Sequence, residues 1–136
     1  MKPSLKKGFS IIELIFVIAV LGIIAAVAVP KLLDSRSSAL STTIKQDIST
    51  ITNSIQSYYM LNGKVEKISD TVSINSKTWE VNPQKAIFPI SETGTECVSI
   101  EIDENELSVT IDQNNSTEVC KKIRESGIED ATYNLY

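Results

Sequence analysis

An uninterrupted apolar run near the N-terminus limits the folds open to this chain more than any other feature. Residues 14–29 are 16 consecutive apolar positions, and the segment reaches 21 residues when it is counted from Phe9. A helix needs about 20 apolar residues to cross a hydrocarbon core of about 30 Å. The run therefore predicts a membrane-spanning helix, which contains one acid, Glu13, and is followed by Pro30.

Three interpretations of this run compete. The first is a secretory signal peptide, because a basic start and an apolar stretch lead to the small residues Ala-Val-Ala at 26–28. The second is a signal anchor, in which Lys2, Lys6 and Lys7 hold the N-terminus in the cytoplasm. Neither explains Glu13, since an acid at the centre of a membrane helix costs about 2 to 3 kcal/mol and is usually kept for a partner.

The third interpretation starts from residues 6–13, which read KKGFSIIE. This stretch resembles the processing site of type IV prepilins and of type II secretion pseudopilins. The resemblance implies that a prepilin peptidase cuts after Gly8 and that Phe9 becomes an N-methylated N-terminus. It also implies that Glu13 stands at the fifth position of the mature chain.

Two further residues of the run match this family. Gly22 corresponds to a helix-weakening glycine, and Pro30 to the proline that usually closes the membrane segment. Because proline lacks an N–H and clashes with the preceding turn, we expect a bend or local break at Pro30. The resemblance implies that this segment loses helicity when the subunit enters a filament.

Glu13 is the residue that we expect to carry function. A carboxylate in lipid is costly until a cation meets it, and the amine of Phe9 from a neighbouring subunit would supply that cation. Such a pair would set the register between subunits even if its net stability is modest. The alternative is a carboxyl group that reaches the membrane surface or is protonated.

Charge and composition exclude several classes of function. The formal charge is −4, and loss of residues 1–8 with their three lysines makes the chain more acidic. An acidic protein has no general attraction to nucleic acid, so we predict no direct nucleic acid binding. The chain has no histidine, which removes Ser-His-Asp and Cys-His catalysis. We therefore predict a non-enzyme with no cofactor.

Residue types suggest three further features: a disulfide, a glycosylation site and a calcium site. Cys97 and Cys120 are the two cysteines, and outside the cytoplasm a disulfide is expected, with free thiols as the alternative. Asn114 and Asn115 each begin an N-x-S/T glycosylation sequon, a pattern that also arises by chance. A cluster of acidic residues surrounds the predicted hairpin. The resemblance to major pseudopilins, which hold calcium in the C-terminal domain, makes a calcium site one interpretation of this cluster. A solvated acidic turn is the simpler interpretation, because no EF-hand spacing is present. The acids are Glu101, Asp103, Glu104, Glu106 and Asp112.

Periodicity predicts the rest of the fold. Residues 31–61 continue the helix with one apolar stripe, and Asn62-Gly63 ends it. Residues 98–102 and 107–111 alternate as a β-hairpin whose apolar face should cover that stripe. Shorter strands are predicted at 78–81 and 86–88, with Trp79 and Phe88 in the core, and an edge strand within 131–136. A short helix follows a cap at Asn115 with Glu118 three residues on. The stripe comprises Leu33, Leu40, Ile44, Ile48, Ile51, Ile55 and Tyr58.

The expected fold class is α+β and pilin-like: a long N-terminal helix packed against a small antiparallel β-sheet with a short C-terminal helix. The expected organisation is a leader at 1–8, a transmembrane and assembly helix at 9–30, and a globular head at 31–136. The resemblance implies a pilus or pseudopilus subunit in the inner membrane, with its head in the periplasm. Its partners would be prepilin peptidase, identical or related pilin subunits and an inner-membrane assembly platform. The alternative is a signal-anchored or exported periplasmic binding domain that is cleaved after Ala28 or not at all.

Overall fold

A computed structural model describes residues 8–88 and 96–136. The chain divides into two compact units, Met1–Arg36 and Ser37–Tyr136. The first helix, α1 (Ile11–Asn62), contributes to both units, and by length and composition it is apolar enough to cross a membrane. We call residues 11–36 the stem and the unit Ser37–Tyr136 the head.

Helix α1 runs without interruption through Gly22 and Pro30. Of the bend or local break predicted at Pro30, the break does not occur, because proline removes one backbone hydrogen bond and the turns on either side keep theirs. A bend at Pro30 stays a prediction. The expected loss of helicity in a filament stays a prediction. The predicted end of the helix is confirmed, since Gly63 has a positive φ of 73° and its amide donates to the carbonyl of Tyr59 over 2.7 Å.

The head half of α1 buries one face. Its buried apolar residues recur at steps of three or four, which places them on one side of a helix. Leu33, which is 59% exposed, does not belong to this buried face. The apolar stripe is covered only from the partly buried Leu40 onward. The buried apolar residues are Ile44, Ile48, Ile51 and Ile55.

The head contains a five-stranded antiparallel sheet in which each strand pairs with the next one along the chain. The predicted hairpin is confirmed as its third and fourth strands, and the predicted tail strand is its fifth. The two short strands are also confirmed, although the first spans only Glu80–Val81. The strands are β1 (Glu80–Val81), β2 (Lys85–Phe88), β3 (Val98–Asp103), β4 (Glu106–Ile111) and β5 (Ala131–Asn134).

The inward face of the sheet and the α1 stripe form one apolar core. Alternation along β3 and β4 sends every second side chain inward, and all six of these residues are buried. Trp79 and Phe88 are confirmed as core residues, with 1% and 3% of their side chains exposed and ring centroids 5.7 Å apart. A one-turn helix, α2 (Ile68–Thr71), which the sequence did not predict, adds the buried Ile68.

The short C-terminal helix is α3 (Glu118–Glu125). Its cap lies at Thr117 and not at the predicted Asn115. The Asn115 side chain instead accepts a hydrogen bond from the Thr117 amide over 3.0 Å, which forms a turn just ahead of the helix. The predicted disulfide between Cys97 and Cys120 is present, and it ties α3 to the start of β3.

Candidate functional site

The stem exposes an apolar surface that water does not favour. Every residue from Gly8 to Arg36 is exposed, including Phe9 at 82% and Ile23 at 71%. Apolar surface in water costs about 25 cal/mol per Å² relative to a buried state. Contiguous apolar patches of this extent mark membrane or protein contacts in soluble surroundings. The stem is therefore built to be covered by lipid or by other protein.

Glu13 is the one ionisable residue between Ile11 and Pro30. It is exposed and lies in the first turn of α1, where backbone N–H groups have no partner within the helix. A carboxylate at this end complements the helix dipole. The site thus combines a wholly apolar helix with one negative charge at its first turn.

Sequence reasoning missed a helix-start pattern that includes this acid. The carbonyl of Ser10 accepts the amide of Leu14 over 3.1 Å, so Ser10 is the N-cap of α1 and Glu13 is its third helical residue. Serine followed by glutamate at this spacing is the pattern of a capping box. The signal was visible in the sequence. Ser10 and Glu13 therefore stand at the two positions of that pattern at the start of α1.

The predicted processing site lies just before the helix. Gly8, Phe9 and Ser10 have irregular backbone and are exposed, so the peptide bond after Gly8 is outside any regular element and accessible. Of the residues that the structure describes, none lies within 4 Å of the position where a side chain at Gly8 would begin. The three lysines of residues 2–7, and the leader itself up to residue 7, lie outside the described residues.

The two predicted glycosylation sequons on the head differ in how accessible their asparagines are. Asn115 is 6% exposed, and its amide also donates to the carbonyl of Glu96 over 3.3 Å. Asn114 is exposed, so it is the more accessible of the two sequons, and glycosylation stays a prediction.

The acidic cluster does not form a ready metal site. Its members on β3, β4 and their turn are exposed, while Asp112 accepts the amide of Asn114 over 2.8 Å. Among residues 8–88 and 96–136, no group of three or more acidic or cysteine side chains is arranged to hold a metal ion. The solvated acidic turn stays the prediction and calcium binding its alternative, which a calcium-dependent melting temperature would support.

Several polar contacts of the head were not predicted from sequence. The indole N–H of Trp79 donates to Asp47 over 2.9 Å, and Lys45 donates to the carbonyl of Ser126 over 3.0 Å. Arg124 donates to the carbonyls of Asp112 and Asn115, each over 2.9 Å, and so holds the segment between β4 and α3. Each contact joins residues distant along the chain or placed by a turn, and no local pattern signals them.

Fold and stem together define the class: an α+β head carried on a long N-terminal helix, as in pilin-like proteins. Residues 3–29 match the family model of the prokaryotic N-terminal methylation motif. That motif is the hallmark of the prepilin-type signal of type IV pilins and pseudopilins, which are structural subunits and not an enzyme family. The chain therefore carries a prepilin-type signal. No curated protein and no solved structure matches the chain.

Proposed function

We propose that this protein is a structural subunit of a type IV pilus-like filament. The observation that carries the proposal is the coincidence of two features: the methylation motif covers residues 3–29, and from Leu14 to Val29 the helix that it enters is apolar and exposed. A secreted binding domain would need no such permanent apolar helix. A filament subunit needs it twice, first in the membrane and then between subunits.

Before assembly the stem spans the inner membrane, with the N-terminus in the cytoplasm and the head in the periplasm. The lysines of residues 2–7 support this orientation through the positive-inside rule. Prepilin peptidase cuts after Gly8, and Phe9 is then N-methylated. An inner-membrane assembly platform transfers the stem from lipid to a position among identical or related subunits, where its apolar surface is covered again.

Glu13 sets the register of each new subunit in this scheme. In the low dielectric of the membrane or of a helix bundle, its carboxylate is costly without a cation. The N-terminal amine of Phe9 on a neighbouring subunit meets that need. A subunit out of register would bury the carboxylate unpaired, so the pair selects one axial position.

The N-terminus of the purified protein tests the processing step. Intact mass and N-terminal sequencing should show a chain that begins with N-methylated Phe9. A chain that begins after Ala28, or an uncleaved chain, would contradict the proposal and favour an exported or anchored binding domain.

The variant Glu13→Ala tests the register step. It should be processed and inserted normally, yet give at least about tenfold fewer filaments, because the loss of a buried charge partner commonly exceeds one tenfold step. Asp34→Ala is the control, since it removes an acid from the far end of the stem. Normal filament yield from Glu13→Ala would reject the role of Glu13.

A pilin and a pseudopilin share the features used so far. The segment closed by the Cys97–Cys120 disulfide resembles the disulfide-closed region of many type IV pilins and favours a pilin. Deletion of the gene decides between them: loss of twitching or of DNA uptake indicates a pilin, and loss of protein secretion indicates a pseudopilin.

A further inference from the structure

We propose that the head binds an extended peptide segment of another protein, which pairs with the free edge of β5 as an added strand. The peptide lies in a groove between β5 and the adjoining flank of α1, which we call the β5 groove. This inference concerns the head alone and does not rest on the proposed filament function. The lining of the groove includes Ser49, Thr52, Asn53 and Gln56 of α1 and Tyr133 of β5.

The two edges of the sheet differ in how well they are protected from pairing. β1 has only two residues, carries the charge of Glu80 and is followed by Pro83, and each of these features discourages the addition of a strand. β5 has four residues, Ala-Thr-Tyr-Asn, without charge or proline. It is the last strand of the sheet, and among the described residues its backbone has no hydrogen bond outside the ladder with β4. Its outer edge therefore offers N–H and C=O groups at the spacing of an extended chain.

The flank of α1 beside β5 presents a line of neutral hydrogen-bonding side chains. They recur at steps of three or four residues, which places them on one side of the helix. Asn53 donates to the hydroxyl of Ser49 over 3.4 Å, so the side-chain carbonyl of Asn53 can accept a hydrogen bond from an occupant. A peptide with neutral hydroxyl or amide side chains fits this line. The four residues are Ser49, Thr52, Asn53 and Gln56.

Contacts at its two ends show that the groove follows both elements. At one end, Lys45 donates to a carbonyl at the end of α3 over 3.0 Å, and the opposite charges of Lys45 and Glu129 offset each other in the lining. At the other end, Tyr59 donates to the side chain of Asn105, whose backbone carbonyl accepts the amide of Leu135 just after β5. β5 and this part of α1 therefore run side by side, and an extended chain can follow both.

A buried hydroxyl in the wall of the groove lacks a partner. Thr52 is 6% exposed, and its side-chain oxygen forms no hydrogen bond with any residue that the structure describes. Buried polar groups are nearly always hydrogen-bonded, so an orphaned hydroxyl needs an explanation. Threonine in a helix has two favoured χ1 rotamers, which allows the hydroxyl to turn toward an occupant of the groove. A hydroxyl or amide on the inward side of an added strand would satisfy it.

Tyr133 lines the groove from the side of the sheet. Its register partner on β4 is the fully buried Leu107, so the tyrosine ring lies on the face of the sheet that packs on α1. β-branched residues pack well beside an aromatic residue on a neighbouring strand. The groove has a volume of about 320 Å³, which suits the inward side chains of a strand and not a folded domain. The occupant that fits is an uncharged extended segment with threonine-like residues on its inward side.

A capped synthetic peptide that alternates threonine with glutamine is the probe, added to the full-length protein in detergent. It should bind, and hydrogen exchange of the backbone amides in residues 131–134 should slow in its presence, because an added strand pairs with that edge. The control probe has the same side chains and a methyl group on every backbone amide nitrogen, so it cannot donate to a strand. We expect this control to bind too weakly to detect and to protect no amide of β5.

Substitutions at Thr52 test the groove. Thr52→Val removes the unpartnered hydroxyl, so the melting temperature should not fall, while affinity for the probe should fall about fivefold, as expected for one neutral hydrogen bond. Thr52→Ser keeps the hydroxyl and should bind within about twofold of wild type. Thr110→Val changes an exposed threonine on β4, outside the groove, and is the matched control whose affinity should not change.

Three results would overturn the proposal: no binding of the unmodified probe, equal binding of the methylated probe, or wild-type affinity in Thr52→Val. Protection of residues 131–134 that rises with protein concentration in the absence of peptide would show that a second copy occupies the edge, and would overturn it too. None of these results bears on filament formation, which the N-terminus of the mature chain and Glu13→Ala test separately.

Discussion

The two halves of α1 differ in how their apolar residues are arranged around the helix, and so in what can cover those residues. Between Ile11 and Val29 the helix is apolar on every side and exposed everywhere. Between Ser37 and Asn62 only one side is apolar, and the sheet covers it. A helix with one apolar stripe can be completed by its own chain, whereas a helix that is apolar all round needs lipid or other subunits. One continuous helix therefore has one end that its own head covers and another end that lipid or other protein must cover.

The largest expected effect comes from the same substitution made in each half. Ile55→Ala removes a fully buried side chain and should lower the free energy of unfolding of the head by about 2 to 5 kcal/mol. Ile18→Ala, at a side chain that is 59% exposed, should leave it unchanged. Denaturation of the full-length protein in detergent, followed by fluorescence of the single tryptophan, measures both. Equal losses of unfolding free energy in the two variants would contradict the difference between the two halves of α1.

The next effect concerns the covalent link that closes the head. Replacing both Cys97 and Cys120 by alanine opens a loop of sequence separation 23 and should cost about 3 kcal/mol. The reason is the greater conformational freedom of the unfolded chain. The same denaturation experiment measures it, with and without reductant. Reductant should destabilise the wild type and leave the double variant unaffected, and a response of the double variant would point to another cause.

A smaller effect is expected where Trp79 contacts α1 through a hydrogen bond. Trp79→Phe keeps an aromatic ring but removes the donor to Asp47, and a bond to a charged group contributes about 1.5 to 3 kcal/mol. Asp47→Asn keeps an acceptor and should cost less. Unfolding of Trp79→Phe, of Asp47→Ala, which removes the acceptor, and of the double variant gives the coupling energy of the bond. Fully additive losses would show that the bond does not stabilise the head.

The smallest effect is electrostatic and lies just beyond the end of α1. A hydrogen bond and the charge of Lys64 hold the pKa of Glu66 below its ordinary value, and Glu66 in the same way raises the pKa of Lys64. The contribution to stability is therefore present between the two pKa values. It is lost as pH falls through the lowered pKa of Glu66, and as pH rises through the raised pKa of Lys64.

Both groups are exposed, so water and salt screen this pair and the change in stability is small. The melting temperatures of the wild type and of Lys64→Gln should be equal at acidic pH, and the wild type should melt slightly higher at neutral pH. A difference that grows as pH falls would contradict the assigned sign.

Much of the fold was predictable because its signals are short in range. The α1 stripe from Ile44 to Ile55 and the alternation of β3 and β4 are periods of neighbouring residues, so they can be read without knowing the fold. The same holds for the prepilin-type signal, whose residues are consecutive. No local break occurs at Pro30, because the turns on either side hold the helix together. The predicted cap at Asn115 was wrong, because its side chain accepts the Thr117 amide in a turn ahead of the helix.

The spacing of apolar residues along the sequence is enough to specify the membrane-length helix, its amphipathic continuation and the hairpin. Each of these elements depends on how neighbouring side chains distribute between water and an apolar environment. Long-range contacts required the folded chain. Trp79 meets Asp47 across 32 residues, and Lys45 meets Ser126 across 81, so these contacts exist only when the chain has folded. Local preference acts through neighbours, whereas such pairings arise from packing of the whole chain.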